Sequence, residues 1–266
     1  MGDGAGQRRE GGRLTAMYAD FAAVYDRLMQ DVDYAAWAAF YMALLDSLGV
    51  SPGAAVAECA CGTGGLTVPL AARYDMTGID LSEEMLSQAV PKAKSAGRNV
   101  RFIRQDMRRL RLMRPADAVL ATCDGVNYLL KDNDLAAFLN AAFHALKPGG
   151  ALAFDISSFG KLRGTLGDNV LTLSEEDVAY IWHNRWSDSE RVVQMNLSIF
   201  VRRPDGAYDR IVEQQAQRAW DEQEVLDALA KAGFRQARAW GDRRMRAPSP
   251  NDQRLHFTAI KPVKGE

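Results

Sequence analysis

The chain has 266 residues, 47% of them hydrophobic, with 33 Lys and Arg against 34 Asp and Glu and a net charge of −1. That length and apolar content can bury the core of one elaborated domain, or of one domain with a cap. The near-neutral balance lacks the basic excess that tracks nucleic-acid phosphate. Cys59, Cys61 and Cys123 are too few and too oddly numbered for a disulfide framework, which indicates a reduced, cytoplasmic setting. No stretch nears the roughly 18 consecutive apolar residues of a membrane span.

Residues 1–16 are polar and Gly/Arg-rich, carry Arg8, Arg9 and Arg13, and lack an apolar signal core, so they read as a disordered tail. From 17 to 50 the apolar residues recur at helical spacing and predict an N-terminal helical cap. Tyr18, Phe21, Ala22, Tyr25 and Leu28 share one face, while Tyr34, Trp37, Phe40, Tyr41, Leu44, Leu45 and Leu48 share another. Asp31 or Asp33 suits the cap of the second helix and Gly49 its stop.

An apolar run over 54–57 then reaches Glu58, breaks into Ala60-Cys61-Gly62-Thr63-Gly64-Gly65, and resumes as a helix over 66–72. In an open α/β sheet such a turn lies outside the carboxyl end of the first strand, where ligands bind. Glycines let the main chain approach a ligand, and the following helix aims unpaired N–H groups at the loop. Read as Ala60-x-Gly62-x-x-Gly65, the loop is a degenerate dinucleotide fingerprint without its first glycine.

A second strand over 76–81 ends in Asp80, 22 residues after Glu58. Nucleotide-binding folds set a carboxylate for ribose hydroxyls at about that separation. Ser82 caps the next helix. A third strand over 100–107 reaches Asp106, and a fourth over 116–122 runs into Cys123-Asp124-Gly125-Val126-Asn127-Tyr128-Leu129. A helix over 135–146 stops at Lys147-Pro148-Gly149-Gly150 before a fifth strand over 151–156.

Glu58-x-Ala60-x-Gly62-x-Gly64, followed in order by these elements and the Lys-Pro-Gly-Gly passage, resembles the class I S-adenosylmethionine-dependent methyltransferases over 56–156. The resemblance implies a Rossmann-like α/β fold with a seven-stranded sheet, mostly parallel with its last strand antiparallel, and S-adenosyl-L-methionine as cofactor. It places Glu58 toward the methionine part, with Ala60, Gly62, Thr63 and Gly64 forming the loop beneath. It gives Asp80 the ribose, Leu81 and Met85 the faces of the adenine, and Asp106 with Met107 the adenine amino group. Cys123 would border the transferable methyl, and Tyr18 and Tyr25 would close over the pocket from an N-terminal helix. Ala60 stands where the family more often has Gly, and alanine fits if φ there is negative. The Asn/Asp-Pro-Pro-aromatic turn of enzymes that methylate DNA bases or glutamine side chains is absent after the fourth strand.

Beyond 157 the alternation of strand and helix breaks. Strands over 178–186, 191–201 and 208–220, joined by polar turns, predict an antiparallel β cap inserted over 161–220 and overhanging the carboxyl edge of the core. Inward-facing His183, Trp186, Gln217 and Arg218, with Asn127 and Tyr128, are the candidate acceptor contacts. Asp124, Tyr128 or His183 would supply a base if the acceptor is a hydroxyl. An Asp221-capped helix over 222–232 and strands over 234–240 and 254–260 complete in 221–266 the core begun in 51–160, with His256 a structural residue. The expected function is methyl transfer by in-line displacement to a small amine, thiol or hydroxyl, without metal or membrane partner and with a homodimer left open. An RNA-directed (tRNA) methyltransferase and an NAD-binding Rossmann oxidoreductase are the alternatives; the second lacks a Tyr-x-x-x-Lys after the fourth strand.

Overall fold

The computed structural model describes residues 22, 24–29 and 32–263. The tail 1–16, Tyr18, Phe21 and Asp31 lie outside the described residues. Residues 24–28 are helical. Helix α1 (Tyr34–Ser47) starts where Asp33 Oδ1 accepts the Ala36 N–H at 2.9 Å and stops before Gly49 at φ +79°. Its buried stripe of Trp37, Ala38, Tyr41, Leu44 and Leu45 lies on the sheet.

The core then alternates through β1 (Ala55–Cys59), α2 (Thr67–Leu70), β2 (Asp75–Asp80), α3 (Glu83–Ser95), β3 (Arg101–Arg104), β4 (Ala116–Ala121), α4 (Asp132–Ala145) and β5 (Leu146–Ser157). A π-helical turn (Gly160–Leu166) leads into β6 (Val170–Ser174), β7 (Val178–Ser187), β8 (Val192–Arg202) and β9 (Tyr208–Arg218). Helix α5 (Glu222–Lys231), β10 (Arg235–Gly241) and β11 (Arg254–Ile260) return to the core.

The main sheet runs β10-β11-β5-β4-β1-β2-β3. The strands from β3 through β5 pair in parallel, and β11 is antiparallel to both of its neighbours. Alternate residues of β4 and β5 divide between two cores, as a period of two requires. Ala118, Leu120, Ala151 and Ala153 face α1, while Val119, Ala121, Leu152 and Phe154 face Phe138 of α4 and Leu229 of α5. Strand order reverses between β1 and β4, so the crevice outside their carboxyl ends is the topological switch point of the sheet.

The cap is a second sheet, β6-β7-β8-β9, antiparallel throughout. It has four strands where three were expected, because the five-residue β6 is too short to be told from a loop by its pattern. Val24, Val178, Ile199 and Ile211 bury together with Tyr25, Leu28 and Met85 against them, joining the segment 24–28, the cap and α3. Among the described residues no helix is long and apolar enough to cross a membrane.

Candidate cofactor and acceptor site

The glycine loop leaves β1 through three left-handed residues, Ala60 at φ +52°, Gly62 at +54° and Gly64 at +75°. The condition under which alanine would fit without strain, a negative φ at Ala60, is therefore not met; an L-residue is held where glycine is the unstrained choice. A Cβ built on Gly62 would meet nothing within 4 Å, so this part of the loop faces open space. On Gly65 it would lie 2.6 Å from the ring of Tyr34, which sits over the loop from the start of α1.

Asp80 fixes the loop from the end of β2. Its Oδ2 accepts the Gly62 N–H at 2.7 Å and its Oδ1 accepts the Ser82 N–H at 2.9 Å. Burial raises its pKa, opposed by those amide bonds. Each oxygen has a further lone pair for a ligand hydroxyl. Leu81 beside it is 61% exposed, an apolar surface at the rim.

Glu58 is buried, and its two oxygens accept from the hydroxyls of Thr67 and Thr122, each at 2.5 Å. Burial pushes its pKa up to about 7, against the pull of those two hydroxyls. The Thr63 hydroxyl donates to Asp26 at 2.6 Å and accepts from Lys92 Nζ at 2.9 Å, while Lys92 also pairs with Asp26 at 2.7 Å. These bonds tie the N-terminal segment to the loop and to α3. Tyr25 lies on that segment within electrostatic reach of Tyr34, Tyr128, Cys123 and Asp124. Met85 packs against the same apolar cluster as Tyr25.

At the end of β3, Asp106 directs both carboxylate oxygens to Arg108 and also caps the turn that follows by accepting the Arg108 N–H at 2.9 Å. The Arg108 guanidinium holds its pKa low. Met107 is half-buried against the α4-side core.

The segment after β4 is organised by a residue that sequence reasoning passed over. Asp155, fully buried near the end of β5, accepts the Cys123 N–H at 2.7 Å, the Asp124 N–H at 2.9 Å, the Tyr41 hydroxyl at 3.0 Å and Arg254 Nη1. Cys123 and Asp124 are both left-handed, at φ +55° and +57°. Charge-assisted bonds to the buried carboxylate hold that otherwise costly conformation. Asp155 lies far along the chain from its partners, so only its acidic character at a strand end could have flagged it. The Cys123 thiol pKa is raised by burial, which disfavours a nucleophilic role. With the Tyr41 hydroxyl proton given to Asp155, His256 Nδ1–H is the donor to that hydroxyl at 3.2 Å, and burial lowers the His256 pKa to about 4.

The acceptor candidates divide by strand parity. On β9 the inner face carries Gln215, which accepts from the Tyr128 hydroxyl at 2.8 Å, and Gln217, which donates to Asp124 at 3.1 Å. Arg218 points the other way. It lies 3.8 Å over Trp220 and pairs with Asp132 at 2.8 Å, so it is a clamp on α4. On β7, Trp186 faces inward but packs on Phe159 and Arg163 of the π-helical turn region. His183, an odd number of residues away, is on the outer, exposed face. It cannot serve as the base or as an inward contact. Asn127 is also corrected: it is fully buried and its carboxamide bonds Ser157 O, Ser157 N and Arg218 O, so it stitches β5 to β9.

The residues present suit an adenosyl sulfonium. A carboxylate with free lone pairs stands beside a loop open at Gly62, with exposed Leu81 as a wall for a flat base. Comparisons with known proteins agree. A family model described as a methyltransferase domain matches residues 56–150. The chain is 36% identical over 247 residues to YqeM of Bacillus subtilis strain 168, a protein named as a methyltransferase, covering 92% of this chain and 97% of the relative. It is 33% identical over 245 residues to GWCH70_2453 of Geobacillus sp. strain WCH70, covering 92% and 99%. Among solved structures, an S-adenosylmethionine-dependent methyltransferase from Clostridium acetobutylicum ATCC 824 superposes with a TM-score of 0.81 at 30% identity, covering 92% of this chain and 99% of that one.

Proposed function

Because the chain belongs to the class I S-adenosylmethionine-dependent methyltransferases, we propose that it methylates a small molecule enclosed between the glycine loop and the antiparallel cap. The dinucleotide reading of the loop is set aside with that membership. The observation that carries the proposal is the pair of contacts from β9 to the segment after β4, Gln217 to Asp124 and Gln215 to Tyr128. The cap is anchored directly on the strand end beside the glycine loop, which favours an enclosed ligand over an extended chain.

When bound, S-adenosylmethionine supplies a methyl group activated on a sulfonium, displaced in line by a lone pair of the acceptor. Asp80 and the loop amides would orient the nucleoside, Leu81 and Met107 would wall its base, and Tyr34 and Tyr25 would cover the methionine side. The cap and the segment 24–28 would exclude water. Alignment of this kind is worth roughly 7–11 kcal/mol of a barrier in reference reactions. An amine or thiolate acceptor needs no obligatory base. For a hydroxyl, Asp124 is the better placed candidate, since the Tyr128 hydroxyl donates to Gln215.

A screen with methyl-labelled cofactor over small amines, thiols, hydroxyls and transfer RNA tests the reading. Label is expected in a small-molecule product. Label confined to transfer RNA would overturn the small-acceptor reading in favour of the RNA-directed alternative.

A further inference from the structure

Beneath the cap, five polar side chains from four elements and their connections meet at the mouth of β4 and β5. Asp124 Oδ2 accepts from Ser157 Oγ and from Gln217 Nε2, both at 3.1 Å, and its Oδ1 lies 3.4 Å from Arg254 Nη1. Lys161, on the π-helical turn, joins the group by one side-chain hydrogen bond, Nζ to Ser157 Oγ at 3.2 Å.

Lys161 differs from Lys92 and Lys147, which each hold a carboxylate at 2.7 Å. Lys161 is half-buried, yet among the described residues no carboxylate comes within 4.0 Å of its ammonium. A cation withdrawn from water without a carboxylate in contact is costly: burial and neighbouring Arg254 lower its pKa, against the more distant charges of Asp124 and Asp155. Arg254 adds to the positive side of the cleft. Its Nη1 meets the carboxylates of Asp155 and Asp124, and its guanidinium lies 5.0 Å over the Trp37 ring. Single turns of π-helix are frequent at functional sites, because the widened turn redirects a side chain.

We propose that the methyl acceptor carries an oxyanion, carboxylate or phosphate, that docks on Lys161 while its nucleophilic atom lies toward Asp124 and the glycine loop. Lys161 is then a specificity-determining residue. The oxyanion supplies the close ion pair that Lys161 lacks among the described residues, and the distance from Lys161 to the strand end sets which atom of the acceptor reaches the methyl. This inference deepens the small-acceptor reading and rests on it for the direction of the nucleophile; the docking of the anion is testable without turnover.

The test is calorimetric titration of the full chain, saturated with S-adenosylhomocysteine, with oxalate and separately with inorganic phosphate. Wild type is expected to bind at least one of them. Lys161→Met is expected to weaken that binding at least tenfold, and Lys161→Arg to retain it. Preference for oxalate or phosphate identifies the acid group. No binding by wild type, or equal binding by wild type and Lys161→Met, overturns the inference.

In the labelled-methyl screen, matched pairs of acid and neutral amide or alcohol should be methylated in the acid form. For that acceptor Lys161→Met should lower kcat/KM at least tenfold, with Lys161→Arg restoring most of it. Transfer to the neutral members as readily as to the acids would overturn the oxyanion while leaving methyl transfer intact. Failure to bind S-adenosylhomocysteine at all would instead strike the methyl-transfer reading itself.

Discussion

Ala60 and Gly125 share a space that admits one Cβ: a Cβ built on Gly125 would lie 2.8 Å from that of Ala60. Ala60 carries its methyl at φ +52°, so the glycine expected in the first loop has in effect been moved to the turn after β4. A left-handed L-residue costs about 1–2 kcal/mol, and glycine returns part of this through its freer unfolded chain. Ala60→Gly is therefore expected to stabilise by about 1 kcal/mol, and Gly125→Ala to destabilise by about 1–3 kcal/mol. The double variant should be more stable than the sum of the two changes, measured as melting temperatures in a double-mutant cycle. Additive effects would show that the two positions do not contend.

Glu58 makes the stability of the cofactor-free protein depend on pH. Its pKa is about 7 folded against an ordinary value of 4.5, so between those values the folded state keeps a proton that the unfolded chain has lost. Stability from this group falls as pH rises through that window, by about 3 kcal/mol in all. His256, lowered from 6.5 to about 4, acts in the opposite sense, losing stability as pH falls through that range. The Glu58→Gln variant isolates the first effect, because the histidine contribution cancels in the difference. Relative to wild type, Glu58→Gln should gain stability steadily from pH 5 to pH 7. A flat difference would mean that the carboxyl ionises normally.

Asp155 gathers a guanidinium, a phenol and two main-chain N–H groups in a fully buried position. Asp155→Ala should cost about 3–5 kcal/mol, because it removes the shorter of the two ion pairs of Arg254, leaving Asp124 at 3.4 Å, and strands the two main-chain N–H groups and the phenol. Tyr41→Phe removes one bond and should cost about 1 kcal/mol. Urea denaturation of the two variants measures both. Equal, small losses would mean that the hub is not cooperative.

The Asp26, Thr63 and Lys92 bonds hold the segment 24–28 over the loop, with the ion-paired side chains 43% and 30% exposed. An exposed pair of this sort contributes only about 0.2–1 kcal/mol. Asp26→Ala should leave the melting temperature nearly unchanged while speeding hydrogen exchange in 24–28 and weakening cofactor retention. Unaltered exchange there would show that the apolar packing on the cap holds the segment by itself.

Much of the core was legible because its signals are local. The run into Glu58, the glycine turn, the acid ending β2 and the Lys-Pro-Gly-Gly stop each name an element with little help from the rest of the chain. The acceptor side is different. Tyr41, Asp155 and Arg254 meet across more than 200 residues of sequence, and nothing near any one of them announces the others. Asn127 looks like a ligand contact until its three hydrogen bonds to β5 and β9 are seen. The error over His183 and Arg218 was one of parity. Trp186 and Gln217 face inward, and residues an odd number away on the same strands face out. The helical period groups Tyr34 with Trp37 and Tyr41 on one face, yet its place in the first turn of α1 puts its ring over Gly65.

The central claim is that Asp80, anchored by the amides of Gly62 and Ser82, holds the ribose of S-adenosylmethionine at the switch point of the sheet. Titration of Asp80→Ala with S-adenosylmethionine by calorimetry tests it most directly, with melting temperature as the control for folding. Loss of two charge-assisted bonds to ribose hydroxyls, each about 1.5–3 kcal/mol, predicts affinity weakened by about 100-fold or more. A folded Asp80→Ala protein that binds the cofactor as tightly as wild type would contradict it.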